Sequence, residues 1–167
     1  MMRIRIPCVA PCLVALASAC ARTTTSPAND VLGPRIRAWA PDSSAVLAST
    51  QTSPLWSATQ LVVDDTLTWR AIWQSIYANR FPAPPVPVVD FSAHSVLVYG
   101  LGAVYASLRF DSLTYYELGN AAYLTDTRPG AGCVVPAIVL APVVAVATPG
   151  QVAVAKWYLR DVVQPCS

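Results

Sequence analysis

Residues 95–127 read SVLVYGLGAVYASLRFDSLTYYELGNAAYLTDT, and the fold turns on their patterning. Ser95–Leu101 is a continuous apolar run, β-branched or aromatic in part. Tyr105–Phe110 alternates Tyr, Ser and Arg with Ala, Leu and Phe. Leu113–Leu118 contains Thr114, Tyr115 and Tyr116, and Ala121–Thr127 sets Tyr123, Thr125 and Thr127 on one face. Such alternation is the mark of strands with one face buried. Downstream, Arg128-Pro129-Gly130-Ala131-Gly132 reads as a loop. The apolar runs Ala137–Leu140, Val143–Thr148 and Gln151–Leu159 follow, the last two joined by the turn Thr148-Pro149-Gly150. Short strands at this spacing predict a mainly β (α+β) domain, a small antiparallel sandwich or barrel.

Upstream of this stretch lies one helix, expected over about Thr66–Asn79. Trp69, Ile72, Trp73 and Ile76 fall at i, i+3, i+4 and i+7, a single apolar stripe. Asp65 or Thr66 can cap its start, so the Asp64-Asp65 pair reads as capping and dipole complement. The stripe is expected to cover one face of a sheet. Pro82, Pro84, Pro85 and Pro87 make a stiff connector into the strands. Before the helix, Ile36–Trp39, Ala45–Ala48 and Gln60–Val63 are short extended candidates.

The start of the chain carries a different signal. Arg3 and Arg5 precede an uncharged run from Ile6 to Ala19 that ends in Ala17-Ser18-Ala19. Charged, then apolar, then small is the order of a secretory signal, here residues 1–19. The run is short for a membrane span, which needs roughly 20 residues, and Pro7 and Pro11 interrupt it. Leu16-Ala17-Ser18-Ala19-Cys20 resembles the lipobox of bacterial lipoproteins, with Ala17 where that family usually has Leu. The resemblance implies acylation of Cys20, a membrane contact through the N-terminal lipid, and a place in the bacterial cell envelope. Ala21 after the Cys, rather than Asp, resembles the outer-membrane destination. The plain alternative is a secreted protein with a free N-terminal thiol at Cys20. Residues 20–34 are small and polar, which suits a flexible tether, and 35–167 form a single domain.

Without the signal, the mature chain holds Cys20, Cys133 and Cys166. If Cys20 carries lipid, Cys133 and Cys166 form an even pair in an oxidising compartment. A bond between them closes a loop of about 34 residues and stabilises by roughly 3–4 kcal/mol in the chain-entropy account. Two buried free thiols are the alternative. Two Cys and one His match no zinc spacing, so no metal site is expected.

The charge balance excludes a nucleic-acid partner. The chain has 11 Lys+Arg and 9 Asp+Glu; loss of Arg3 and Arg5 leaves nine against nine, a formal charge of zero. Binding to phosphates draws most of its affinity from a basic face.

Candidates for catalysis are few. His94 is the one histidine, and a hydrolase reading would use Asp90 with His94, with Ser92 or Ser95 nearby. That reading requires Asp90 and His94 to face one concave pocket. Neighbours in a turn do not build a triad without a nucleophile elbow, so a non-catalytic protein is expected. Gly100-Leu101-Gly102 lacks the third glycine of a phosphate loop, and no cofactor is indicated. Asp111 and Asp126 read as turn residues. Tyr105, Tyr115, Tyr116 and Tyr123 are candidate partner-binding residues, because tyrosine combines contact area with one hydrogen-bonding group.

From Trp69 to Ala155 the order of features resembles the C-terminal domain of PrcB-type proteins. The features are the aromatic helix, Pro84-Pro85-Val86-Pro87-Val88-Val89-Asp90-Phe91, a strand ending Gly100-Leu101-Gly102, a Tyr-containing strand, and residues 124–133, LTDTRPGAGC. PrcB-type proteins are subunits that stabilise a secreted bacterial protease. The resemblance implies a protein partner of that kind and carries over Gly102 and Tyr105 as positional matches. Ala103-Val104-Tyr105 stands where the family has Thr-Gly-Gly-Tyr. A structural or assembly envelope lipoprotein without a protease partner is the alternative, and a long apolar edge strand would favour it.

Overall fold

The computed structural model describes residues 29–135, 138 and 140–166. The signal, Cys20 and the first part of the tether lie outside these residues, as do residues 137 and 139 of the strand expected over 137–140. The described chain is a β-sandwich with one covering helix. It begins with a single helical turn, α1 (Asn29–Leu32), followed by β1 (Arg35–Trp39), β2 (Val46–Thr50) and β3 (Ala58–Val63). Then come α2 (Thr66–Ile76), β4 (Val96–Leu101), β5 (Ser107–Tyr116), β6 (Gly119–Pro129), β7 (Val143–Ala147) and β8 (Val154–Gln164). One sheet has the order β1-β5-β6-β8 and the other β2-β7-β4-β3.

Helix, inner sheet and outer sheet form three layers. β4 and β7 are central strands buried on both faces, which is why they read as continuous apolar runs rather than alternations. Val96, Val98, Val143 and Ala145 face the helix, where Trp69, Trp73, Ile76 and Tyr77 meet them. Leu97, Tyr99, Val144 and Val146 face the other sheet and pack on Leu108, Phe110, Leu113, Ala122 and Leu124. The two tryptophans therefore cover a sheet, as the stripe predicts. Their indole nitrogens donate to the proline connector, Trp69 Nε1 to Pro87 O (3.0 Å) and Trp73 Nε1 to Pro84 O (2.9 Å). Buried indoles need such partners.

Asp65 caps α2 by accepting from Thr68 N at 2.8 Å. The helix ends at Ile76, with Tyr77 as its C-cap, short of Asn79, whose side chain donates to Thr52 O (2.7 Å).

Three local expectations are corrected. Tyr105–Phe110 and Leu113–Leu118 do not form two strands, since most of both belongs to β5. A bulge between Phe110 and Ser112 shifts the register so that Leu108, Phe110 and Leu113 all point inward. Asp111 is in that bulge rather than a turn, accepting from Arg109 Nε (2.8 Å) and Thr125 Oγ1 (2.5 Å). Asp126 is inside β6, fully buried, and paired with Arg128.

Among the named strands, pairing is antiparallel except between β6 and β8, which run parallel from Asn120↔Val154 to Pro129↔Gln164. β7, between them in sequence, belongs to the other sheet, so the chain crosses the sandwich and re-enters beside β6 in the same direction. Residues 29–34, expected to be tether, also make contacts. Leu32 is buried against Tyr116 and Ala121 on the outer face of the β1-β5-β6-β8 sheet.

Candidate functional site

The five candidate partner-binding residues lie in four separate settings. Gly102 is buried and adopts φ +75°. A Cβ there would stand 2.9 Å from Trp56 O and 3.0 Å from Ala58 N, so glycine is required by close backbone approach. Its role is to turn the chain out of β4, after which Ala103 N donates to Trp56 O (3.2 Å) and Val104 N to Leu140 O (2.9 Å). That turn delivers Tyr105 to a cleft at the end of the sandwich.

Tyr115 faces the other way, packed toward the inter-sheet core with the Arg37 guanidinium 4.1 Å from its ring centre. Tyr116 and Tyr123 meet on the outer face of the sheet, their hydroxyl oxygens 2.7 Å apart. Tyr123 also stacks on Tyr158, centroids 5.1 Å apart. Burial, and then Tyr123 beside it, push the Tyr158 phenol up from its ordinary value. Tyr158 escaped the sequence reading because its neighbour is set by the parallel register, which no local pattern encodes.

The Tyr105 cleft, about 620 Å³, is the candidate site. Its walls come from the start of β5 (Ser107), the end of β6 (Thr127, Pro129), the end of β8 (Gln164), Gln51, and the loop after β6. Cys133 and Cys166 are bonded and line it, their Cα atoms 5.3 Å apart. Gly130 N donates to Gln164 O (2.8 Å), so a hydrogen bond and a disulfide together close the loop onto β8. No Asp, Glu, Lys, Arg or His is among the described residues lining it. The side chains of Gln51, Tyr105, Ser107, Thr127 and Gln164 make no hydrogen bond among the described residues.

Asp90 and His94 do line one cleft, of about 520 Å³, at the other end of β4. No hydrogen bond joins their side chains among the described residues. Asp90 Oδ1 accepts from Ser92 N (3.0 Å) and Ser92 Oγ (2.5 Å) within its own turn. The Ser92 hydroxyl, first among these contacts, holds the Asp90 carboxyl below its ordinary value. His94 Nδ1 lies 2.6 Å from Thr148 O; a carbonyl can only accept, so this nitrogen carries the proton. Ser95 is fully buried, its hydroxyl donating to Asp64 and accepting from Val152 N, which leaves it no access to a substrate.

Compared with known proteins, the chain matches no family model, no curated sequence and no solved structure.

Proposed function

We propose that this chain is a non-catalytic envelope lipoprotein, anchored through Cys20, whose β domain binds a partner protein. The PrcB-type resemblance suggests a secreted protease that the domain stabilises or restrains. The observation that supports this most is the placement of the two ends of β5. At its far end, Leu118 N donates to Leu32 O (3.0 Å), where the chain arrives from the tether. At its start, Ser107 lines the Tyr105 cleft. Ten residues of strand, at about 3.3 Å each, set these points roughly 30 Å apart. A domain held to a membrane at the first point presents the cleft away from the lipid, where a soluble protein reaches it.

The structural or assembly alternative calls for a long apolar edge. β8 is a long edge strand, but it carries Lys156, Arg160 and Asp161, and the opposite edge β1 carries Arg35 and Arg37. The other sheet's edges, β2 and β3, carry no charge but are only five and six residues long. Charge on one pair of edges and shortness of the other discourage strand-to-strand assembly, which favours the binder.

Two measurements test the proposal. Growth with a labelled fatty acid should label the full-length protein and not a Cys20→Ala variant; an unlabelled wild type removes the lipoprotein claim. Capture from envelope extract with the full-length chain should recover one stoichiometric protein, a secreted protease. Recovery of no such protein overturns the binder reading.

A further inference from the structure

Resting on that reading, we infer that the Tyr105 cleft receives an uncharged, extended segment of the partner polypeptide, against a wall that the Cys133–Cys166 bond holds in place. The occupant follows from the lining. The described residues lining the cleft include no charged side chain, so a Lys or Asp of the occupant meets nothing among them to offset its lost hydration, and charged segments are disfavoured. What the cleft does offer is uncommitted amides and hydroxyls, from Gln51, Gln164, Ser107 and Thr127, which suit the alternating donors and acceptors of an extended backbone. Between them stand Tyr105 and the apolar Val135 and Leu140, which suit aliphatic side chains. A neutral oligosaccharide could use the polar groups but would leave this apolar wall uncovered. The cleft is within the size range of natural ligand sites, about 300–1,000 Å³.

The disulfide follows from burial. Val134 on the loop is 101% exposed, Val135 40% and Ile138 56%, so these loop side chains do not anchor it in either core. The loop is tied to β8 by the Gly130–Gln164 hydrogen bond and the Cys133–Cys166 bond. Losing the covalent tie frees one wall of the cleft while the strands keep their own contacts.

The test uses the full-length oxidised chain to select from a displayed library of random decapeptides. The expected result is enrichment of sequences with uncharged runs, bound at least about tenfold more weakly by Tyr105→Ala and by Val135→Glu. Val135→Glu alters an exposed loop residue, so it leaves folding intact and reads the cleft alone. Cys133→Ser with Cys166→Ser should weaken binding similarly at a temperature where circular dichroism shows the strands retained. Enrichment of charged sequences, absence of enrichment, indifference to Val135→Glu, or displacement by a neutral oligosaccharide overturns the inference. If envelope capture still recovers a partner, and equally well with Val135→Glu, only the cleft assignment fails and the broader reading stands.

Discussion

Ser95 and Thr148 hold each other by backbone and side chain at once: Thr148 N donates to Ser95 O at 2.9 Å, and Ser95 N donates to Thr148 Oγ1 at 3.1 Å. Both residues are buried. Together with the Ser95 hydroxyl, which joins Asp64 and Val152 N, they stitch the end of β3, the start of β4 and the turn before β8. This is a structural use for a serine beside a histidine, and it predicts a stability effect. Thr148→Val keeps the volume but removes one of the two acceptors of Ser95 N, which also donates to Gly150 O (3.3 Å), and the bond that Thr148 Oγ1 itself donates to Gly150 O. The expected loss is about 1–3 kcal/mol in urea unfolding with an unchanged m-value. A loss under about 0.5 kcal/mol would mean the backbone bonds suffice.

Gly102 and Gly132 both have positive φ, +75° and +90°, but only Gly102 is crowded. Gly132→Ala meets nothing within 4 Å and should cost only the backbone strain, about 1 kcal/mol. Gly102→Ala must also push its Cβ against Trp56 O and Ala58 N, so its cost should exceed that of Gly132→Ala by at least about 1 kcal/mol. Thermal unfolding of the two variants side by side checks the difference; equal losses would contradict the close approach.

Asp126 is fully buried and Arg128 is its partner, with Asp126 Oδ1 unpaired among the described residues. The hydrogen bond to Asp126 holds the Arg128 guanidinium above its ordinary value. Arg128→Met should destabilise by about 3 kcal/mol, because it strands a buried carboxylate. Replacing both partners, Asp126→Leu with Arg128→Met, should cost less than Arg128→Met alone. Strict additivity in that double-mutant cycle would refute the pairing.

Asp65 has its carboxyl lowered from the ordinary value of 3.8, chiefly by the Thr68 side chain and then by the Thr68 backbone N–H it caps. A folded-state value below the unfolded one makes the contribution to stability complete above the unfolded value. It fades as pH falls through the folded one. Unfolding curves between pH 6 and 2 should therefore show a loss in the acid limb that shrinks in Asp65→Asn, which keeps an acceptor but no titrating group. Identical acid limbs would assign the loss to other carboxylates, Asp42 and Asp90 among them, whose values are lowered in the same way.

Local pattern was sufficient for much of this fold. The i, i+3, i+4, i+7 spacing of Trp69, Ile72, Trp73 and Ile76 specifies a one-faced helix because side chains recur every 3.6 residues whatever lies beyond. Alternation in residues 105–127 specifies strands with an inner face for the same kind of reason. Composition assigned Cys133 and Cys166 to each other once Cys20 was set aside, and the bond is formed. Other features needed the closed tertiary structure. The parallel placement of β8 beside β6 depends on β7 leaving for the other sheet, a long-range event with no local mark. That register brings Tyr158 to Tyr123 and leaves Asp126 buried, so neither could be read from neighbours in sequence. A bulge at Asp111 let one strand pass through what looks like a turn. The tyrosines alternate along the chain but divide between a cleft, an inter-sheet core and an outer face. Period two determines only that a side chain lies on one side of its sheet; what lies on that side is decided when the sheets pack.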